Sequence, residues 1–122
     1  MELTRNKQKK GEHTMKYLVQ ASYTAEACSA MISRPQNRAE VVRQATKKLG
    51  GRLECFRFAT FGDYDLAAIS ELPDNVTAAA FSLAVSAGGA LKACKTTPLI
   101  TAEAAVEAMK KAAKAGYRPP TS

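Results

Sequence analysis

The amino-acid sequence predicts an α+β fold: a ferredoxin-like βαββαβ plait with a four-stranded antiparallel sheet and an additional C-terminal helix. The first observation is the order of the hydrophobic patterns, which runs strand, helix, strand, strand, helix, strand, helix. The second is a turn signal, Gly62-Asp63, between two strand-like segments, which predicts a hairpin. The third is size, because 122 residues with 46% hydrophobic content suffice for one domain with one core.

The first strand and the helix after it occupy the start of the globular pattern. Residues 17–22 are rich in β-branched, aromatic and aliphatic side chains and predict a strand. Thr24 is a suitable N-cap for a short helix over residues 25–32. Pro35 then interrupts the helical pattern, so a second helical piece must begin beyond it.

That second helical piece has its own start and stop signals. Asn37 is a suitable N-cap, and Glu40, three residues further on, predicts the reciprocal bond of a capping box. Gly50-Gly51 ends the helix, because glycine accepts the left-handed conformation that often follows a helix.

The middle of the chain predicts a hairpin. Residues 53–59 alternate between apolar and polar side chains with a period of two, which indicates a strand. Residues 66–70 are apolar on both faces and predict the next strand. The Gly62-Asp63 turn joins the two.

The last third of the chain repeats the helix–strand pattern and adds a helix. Asp74 is the expected N-cap of an apolar helix over residues 76–87, and residues 90–97 predict a fourth strand that ends before Pro98. Thr101 is the expected N-cap of a final helix through Lys114. The predicted organisation is a polar, disordered tail, one domain and a short free tail, over residues 1–14, 15–117 and 118–122.

The predicted faces of the sheet point to self-association. Right-handed crossovers place the first and third strands in the centre, and neither alternates as a strand with one wet face should. A homo-oligomer, most simply a dimer, would cover the second face. The helix over residues 76–87 has almost no polar side; we favour a helix buried inside the domain, with a second oligomer contact as the alternative.

Composition excludes several functions. The net charge is +7, but the basic residues are scattered without interleaved aromatics, so nucleic-acid binding is not expected. No segment is long and apolar enough to predict a membrane span or a signal peptide, and the three cysteines, Cys28, Cys55 and Cys94, form no pair, so we expect buried reduced thiols in a cytoplasmic protein. The only histidine, His13, lies in the tail; neither a metal site nor a cofactor is expected.

Three segments of the sequence resemble the GYD family of small proteins. They are residues 15–24, residues 48–51, which end in Leu-Gly-Gly, and residues 61–65, which contain the Gly-Asp-Tyr-Asp turn. The similarity covers about residues 15–114 and leaves out the N-terminal tail. It implies a dimeric α/β barrel type of ferredoxin-like fold, in which two sheets face each other, and it implies no particular reaction.

The turn contains the first candidate site residues. Gly62 can adopt the positive φ that a tight hairpin needs, and Asp63 can accept hydrogen bonds from backbone amides. These roles, with Tyr64 as an aromatic cover of the core, make a structural explanation sufficient. The functional alternative places Tyr64 and Asp65 at the rim of a pocket between the sheet and its partner, where a hydroxyl beside a carboxylate can orient a small ligand.

Two further candidates lie on strands. Arg57 lies between Phe56 and Phe58 and must point away from both; it either protects an edge strand or, if that side faces a partner, binds an anionic ligand. Tyr23 shares one side of the first strand with Tyr17 and is the other candidate for a cavity.

Two functional hypotheses follow. The first is a homo-oligomeric module that binds a small organic molecule or serves assembly. The alternative is a cofactor-free enzyme of the small mono-oxygenase or isomerase type, with a pocket at the interface between two sheets; it rests on analogy of fold alone.

Overall fold

The structure, a computed structural model, describes residues 14–58 and 62–121. Its elements follow the predicted order. They are β1 (Met15–Tyr23), α1 (Ala25–Ser33), α2 (Arg38–Lys48), β2 (Arg52–Phe58), β3 (Leu66–Leu72), α3 (Asn75–Ala87), β4 (Leu91–Leu99) and α4 (Ala102–Ala113). The predicted N-terminal tail, apart from Thr14, lies outside the described residues, as do Ala59 and Phe61.

The four strands form one antiparallel sheet in the order β2-β3-β1-β4. The first and third strands are therefore central and the second and fourth are edges, which confirms the predicted ferredoxin-like arrangement. Pro98 lies opposite Tyr17 on the edge strand β4, where the missing N–H of proline is tolerated.

Each helix begins at a residue whose side chain accepts a hydrogen bond from the first turn. The four caps are the predicted ones: Thr24, Asn37, Asp74 and Thr101, with N···O distances of 3.0, 3.0, 2.8 and 3.0 Å. The predicted capping box at the start of α2 does not form: the Asn37 side chain accepts from the N–H of Ala39 instead of that of Glu40, and the Glu40 carboxylate pairs with Arg43.

The turn from α2 into β2 depends on two adjacent glycines. Gly50 ends the helix with a φ of +84°, the left-handed conformation that was predicted there. Gly51 is needed for a different reason, since a Cβ atom at this position would lie 2.3 Å from the carbonyl oxygen of Glu71 and 2.6 Å from Leu72 Cδ2. The absence of a side chain thus lets the α2–β2 turn approach β3.

The core lies between the helices and one face of the sheet, which we call the helix face. Its buried side chains alternate along the two central strands, among them Val19 and Ala21 on β1 and Leu66 and Ala68 on β3. A second small cluster at one end contains Tyr17, whose hydroxyl donates a 2.6 Å hydrogen bond to Asn75 Oδ1. Burial raises the pKa of Tyr17 above its ordinary value, so this hydroxyl keeps its proton.

The interpretation of α3 as a helix buried on all sides is wrong for the single chain. Ala78 and Phe81 face the sheet and are buried, whereas Val76 and Leu83 are 79% and 71% exposed. A plait has only one helical layer, so a helix in it has a sheet on one side and solvent on the other. The alternative, a contact with another copy, stays a prediction.

None of the described helices packs on the second face of the sheet, here called the open face. Its centre is formed by half-buried Leu18, Ala67 and Ile69, in neighbouring positions of β1 and β3. One end carries a network in which Lys16 and Arg52 both approach two carboxylates, Glu54 and Glu71, at 2.7–3.9 Å.

The C-terminal helix α4 has no buried residue. Its apolar side chains Val106 and Met109 are 46% and 67% exposed.

Among the described helices, none combines the length and the apolarity needed to cross a bilayer.

Candidate functional site

The helix face contains an apolar cleft between α2 and α3. Its floor is made by side chains of the central strands, chiefly Val19 and Ala21 of β1 and Ala68 of β3. Val42 of α2 forms one wall and Phe81 of α3 the other. The cleft therefore follows the middle of the sheet, in the gap that the two helices leave.

The gap has a simple geometric origin. α2 packs on the edge strand β2, and α3 packs on the other edge strand β4 and on β3. The outer strands of a four-stranded sheet are about 14 Å apart, whereas closely packed helices lie about 8–10 Å apart. Only large side chains could fill the difference, and the central strands provide the small residues Ala21 and Ala68 instead.

The cleft has the size and lining of a small-molecule site. Its volume is about 120 Å³, close to that of an apolar cavity of about 150 Å³ that can hold one benzene ring. Most of its lining is apolar, and the polar side chains are concentrated at its two ends, a combination that is typical of ligand pockets.

Ser70 provides the polar group at the inner end. Three polar residues are buried among the described residues, and two of them have partners: Ser22 donates to the carbonyl of Asp63 and Thr46 donates to the carbonyl of Val42. Ser70 is 2% exposed, lines the cleft, and its Oγ has no hydrogen-bond partner within the described part of the chain. A buried hydroxyl without a partner costs about 1–3 kcal/mol.

Tyr23 and Arg38 provide the polar groups at the other end. Tyr23 lies at the end of β1 and Arg38 at the start of α2, and both line the cleft. Burial raises the pKa of the Tyr23 hydroxyl, while the adjacent Arg38 guanidinium opposes this shift by a hydrogen bond. Arg38 also donates a 2.7 Å hydrogen bond to Gln36 Oε1, which holds the guanidinium at this end of the cleft, here called its mouth.

Among the sequence-predicted candidates, the cleft includes Tyr23 alone. Asp65 contacts the backbone of β1: its carboxylate accepts a 2.8 Å hydrogen bond from the Tyr23 N–H, and its own N–H donates to the carbonyl of Ala21 at 2.8 Å. The role of accepting a backbone N–H, which the sequence predicts for Asp63, is thus seen at Asp65.

The other candidates lie apart from the cleft. Asp63 and Gly62 are exposed, and Tyr64 is half-buried beside them. Arg57 is exposed on the edge strand β2, on the open face, and donates to the carbonyl of Phe56. Their roles in ligand binding, and a pocket between two sheets, stay predictions that a single chain does not test.

Sequence reasoning missed Ser70 and Arg38. Arg38 is one of the scattered basic residues of the sequence, and no local pattern distinguishes it from the others. Ser70 did carry a signal, because a hydroxyl on the buried face of a central strand needs a partner.

The cysteines were expected to be buried; Cys28, Cys55 and Cys94 are free but only half-buried. The described residues contain no group of three or more potential metal ligands.

The order of the strands and the position of the helices define the class of protein: a small ferredoxin-like α+β domain, with an apolar cleft on its helix face. The family model of the GYD domain matches residues 17–109, which is more than half of the chain. The chain therefore belongs to the GYD family. Comparisons with curated proteins and with solved structures gave no match.

Proposed function

We propose that this protein is a small-molecule-binding module, that it works as a homodimer, and that its ligand occupies the cleft on the helix face. The observation that supports binding is the Ser70 hydroxyl, which is buried without a partner and lines an apolar cleft. A domain that used this space only for packing would have an apolar residue here, because alanine or valine avoids the cost of an unpaired hydroxyl.

The binding proposal is tested by filling the cleft. Ala68→Val adds volume to the floor and is expected to raise the melting temperature of the free protein, because it fills empty apolar space. The same variant is expected to abolish the chemical-shift changes that a panel of small aromatic acids, amides and alcohols causes in an NMR titration. Ala84→Leu, at an exposed position of α3, is the matched control and is expected to leave the titration unchanged.

The outcomes are distinct. Shift changes that map to Val19, Ala21 and Phe81, and that are lost in Ala68→Val alone, support the proposal. If no compound shifts these residues at millimolar concentration, or if Ala68→Val leaves all shifts intact, the cleft is not a binding site.

The dimer is proposed to form through the open face. Leu18, Ala67 and Ile69 give this face an apolar centre, and the charge network at its end is itself neutral, because it pairs two basic with two acidic side chains. Two sheets packed face to face would bury these side chains as a core.

We include α4 in the proposed interface because of the area that the interface must bury. A face of four strands and about seven residues measures roughly 440 Å², so two faces bury roughly 900 Å², less than the about 1,200 Å² of stable interfaces. If each α4 docked along the partner, each 12-residue helix would add roughly 360 Å², and the two helices together roughly 720 Å². The total, roughly 1,600 Å², is the size of a standard interface. Sedimentation equilibrium tests this, and a monomer at micromolar concentration would contradict it.

A further inference from the structure

We propose that the ligand of the cleft is an arylalkanoic acid with a hydrogen-bonding oxygen on its ring: the carboxylate lies at Arg38 and Tyr23, the ring lies on the alanine floor, and the ring oxygen reaches Ser70. This inference rests on the proposed binding function and specifies the class of molecule bound. Three features of the cleft lead to it, and each corresponds to one part of the ligand.

The mouth of the cleft fits a carboxylate. A guanidinium presents five N–H donors in a planar fork; Gln36 and Tyr23 accept from Arg38, which still leaves donors for an anion. Tyr23 keeps its proton because its pKa is raised, so its hydroxyl can donate as well. The Asp65 carboxylate accepts from the Tyr23 N–H, and the net charge of +7 favours approach of an anion.

The inner end of the cleft fits an oxygen on an otherwise apolar body. The Ser70 hydroxyl can donate one hydrogen bond and accept others, and the structure gives it no partner within the described residues. The side chains nearest to it along the floor, Ala68 and Val19, are apolar. A ligand that ends in a ring hydroxyl or keto oxygen would satisfy Ser70 without placing a charge in the apolar interior.

The distance between the two ends requires a chain between ring and carboxylate. Ser70 lies opposite Tyr17, and Tyr23 lies six residues further along β1, a separation of roughly 20 Å for an extended strand. The side chains of Tyr23 and Arg38 cover part of this length. A volume of about 120 Å³ accommodates one ring, so a short alkyl chain rather than a second ring must span the rest.

The test compares three probes on the full-length protein by isothermal titration calorimetry: 3-(4-hydroxyphenyl)propanoate, 3-phenylpropanoate without the hydroxyl, and the amide of the hydroxy acid without the charge. We expect the hydroxy acid to bind about 3- to 10-fold more tightly than the deoxy acid, and roughly 10- to 100-fold more tightly than the amide, the ranges for neutral and charge-assisted hydrogen bonds.

Two variants assign these differences to residues. Ser70→Ala is expected to remove the preference for the hydroxy acid over the deoxy acid, and Arg38→Gln the preference for the acid over the amide. Ser22→Ala, a buried serine outside the cleft lining, and Arg43→Gln, an exposed arginine of the same helix, are the matched controls and should keep both preferences.

The outcomes separate this inference from the proposed function. If the probes bind but Ser70→Ala weakens both acids equally, or Arg38→Gln weakens acid and amide equally, the ligand class is wrong while binding in the cleft stands. If Ser70→Ala stabilises the protein and changes no affinity, the inner oxygen is wrong. If no probe binds to the wild-type protein and neutral aromatics also fail to shift the cleft residues, both proposals fail.

Discussion

Asp65 shows how one residue of the turn stabilises the end of a strand. The pairing of β1 with β3 ends at Ala21, opposite Leu66, so Tyr23 has no β3 residue beside it. The Tyr23 N–H finds its acceptor in the Asp65 carboxylate at 2.8 Å. The Asp65 carboxylate thus takes the place of the backbone carbonyl that a neighbouring strand would offer to this N–H.

We expect Asp65→Ala to lower the free energy of unfolding by about 1–3 kcal/mol, because it leaves the partly buried Tyr23 N–H without its acceptor. Urea denaturation followed by circular dichroism measures this. Asp63→Ala is the control: Asp63 is exposed and contacts Ser22 through its backbone carbonyl, so its loss should change stability by less than about 0.5 kcal/mol. Equal losses in the two variants would contradict the role given to the Asp65 carboxylate.

Single residues also mark the limit of sequence reasoning. The caps Thr24, Asn37, Asp74 and Thr101 could all be predicted, because a cap depends on neighbours within three residues. Ser70 could not be assigned to a cleft, since its surroundings come from elements far apart in the chain. Whether a buried hydroxyl is satisfied is a tertiary property that no local pattern contains.

At the scale of elements, α3 and α4 share one property: each has apolar side chains that the single chain does not cover. Val76 and Leu83 of α3 and Met109 of α4 are all more than half exposed. An isolated helix of about 12 residues is marginally stable in water, and most helical stability in proteins comes from packing of one face. α4, which has no buried residue, is therefore the helix that we propose to dock on a partner.

We expect Val106→Lys to weaken the proposed dimer about 10- to 100-fold, because it places a charge on the apolar face of α4 that would meet the partner. Sedimentation velocity over a concentration series measures the dissociation constant. Ala104→Lys is the matched control, since Ala104 lies on the same helix near Glu107 and Lys111, on the opposite face. A dimer that tolerates Val106→Lys as well as Ala104→Lys would show that α4 is not part of the interface.

At the scale of the whole molecule, the fold was more predictable than the site. Periodicity, turn signals and the handedness of crossovers are sufficient to place β1 and β3 in the centre of the sheet. The cleft depends on how far apart α2 and α3 settle on that sheet. This spacing follows from packing against the edge strands, which no local sequence pattern contains. The sequence predicts a pocket on the open face, between two sheets, whereas the cleft described above lies on the helix face.

The charge network on the open face predicts how stability depends on pH. The hydrogen bond from Lys16 lowers the pKa of Glu54, with Arg52 adding to the effect. A carboxyl group whose pKa is lower in the folded state stabilises the fold above the ordinary glutamate pKa, and this contribution is lost as pH falls through that value towards the lowered pKa. Because Lys16 is half exposed, the contribution is about 1 kcal/mol or less and decreases with salt.

We therefore expect Lys16→Met to be less stable than the wild-type protein at neutral pH, and the difference to shrink as the pH is lowered through the range in which Glu54 titrates. Urea denaturation at a series of pH values and one protein concentration measures the difference. Lys92→Met, an exposed lysine of the edge strand β4, is the control and should show a difference that does not vary with pH. If the Lys16→Met difference stays constant down to acidic pH, the Lys16–Glu54 pair does not stabilise the fold. The four charges at the end of the open face would then have no structural consequence.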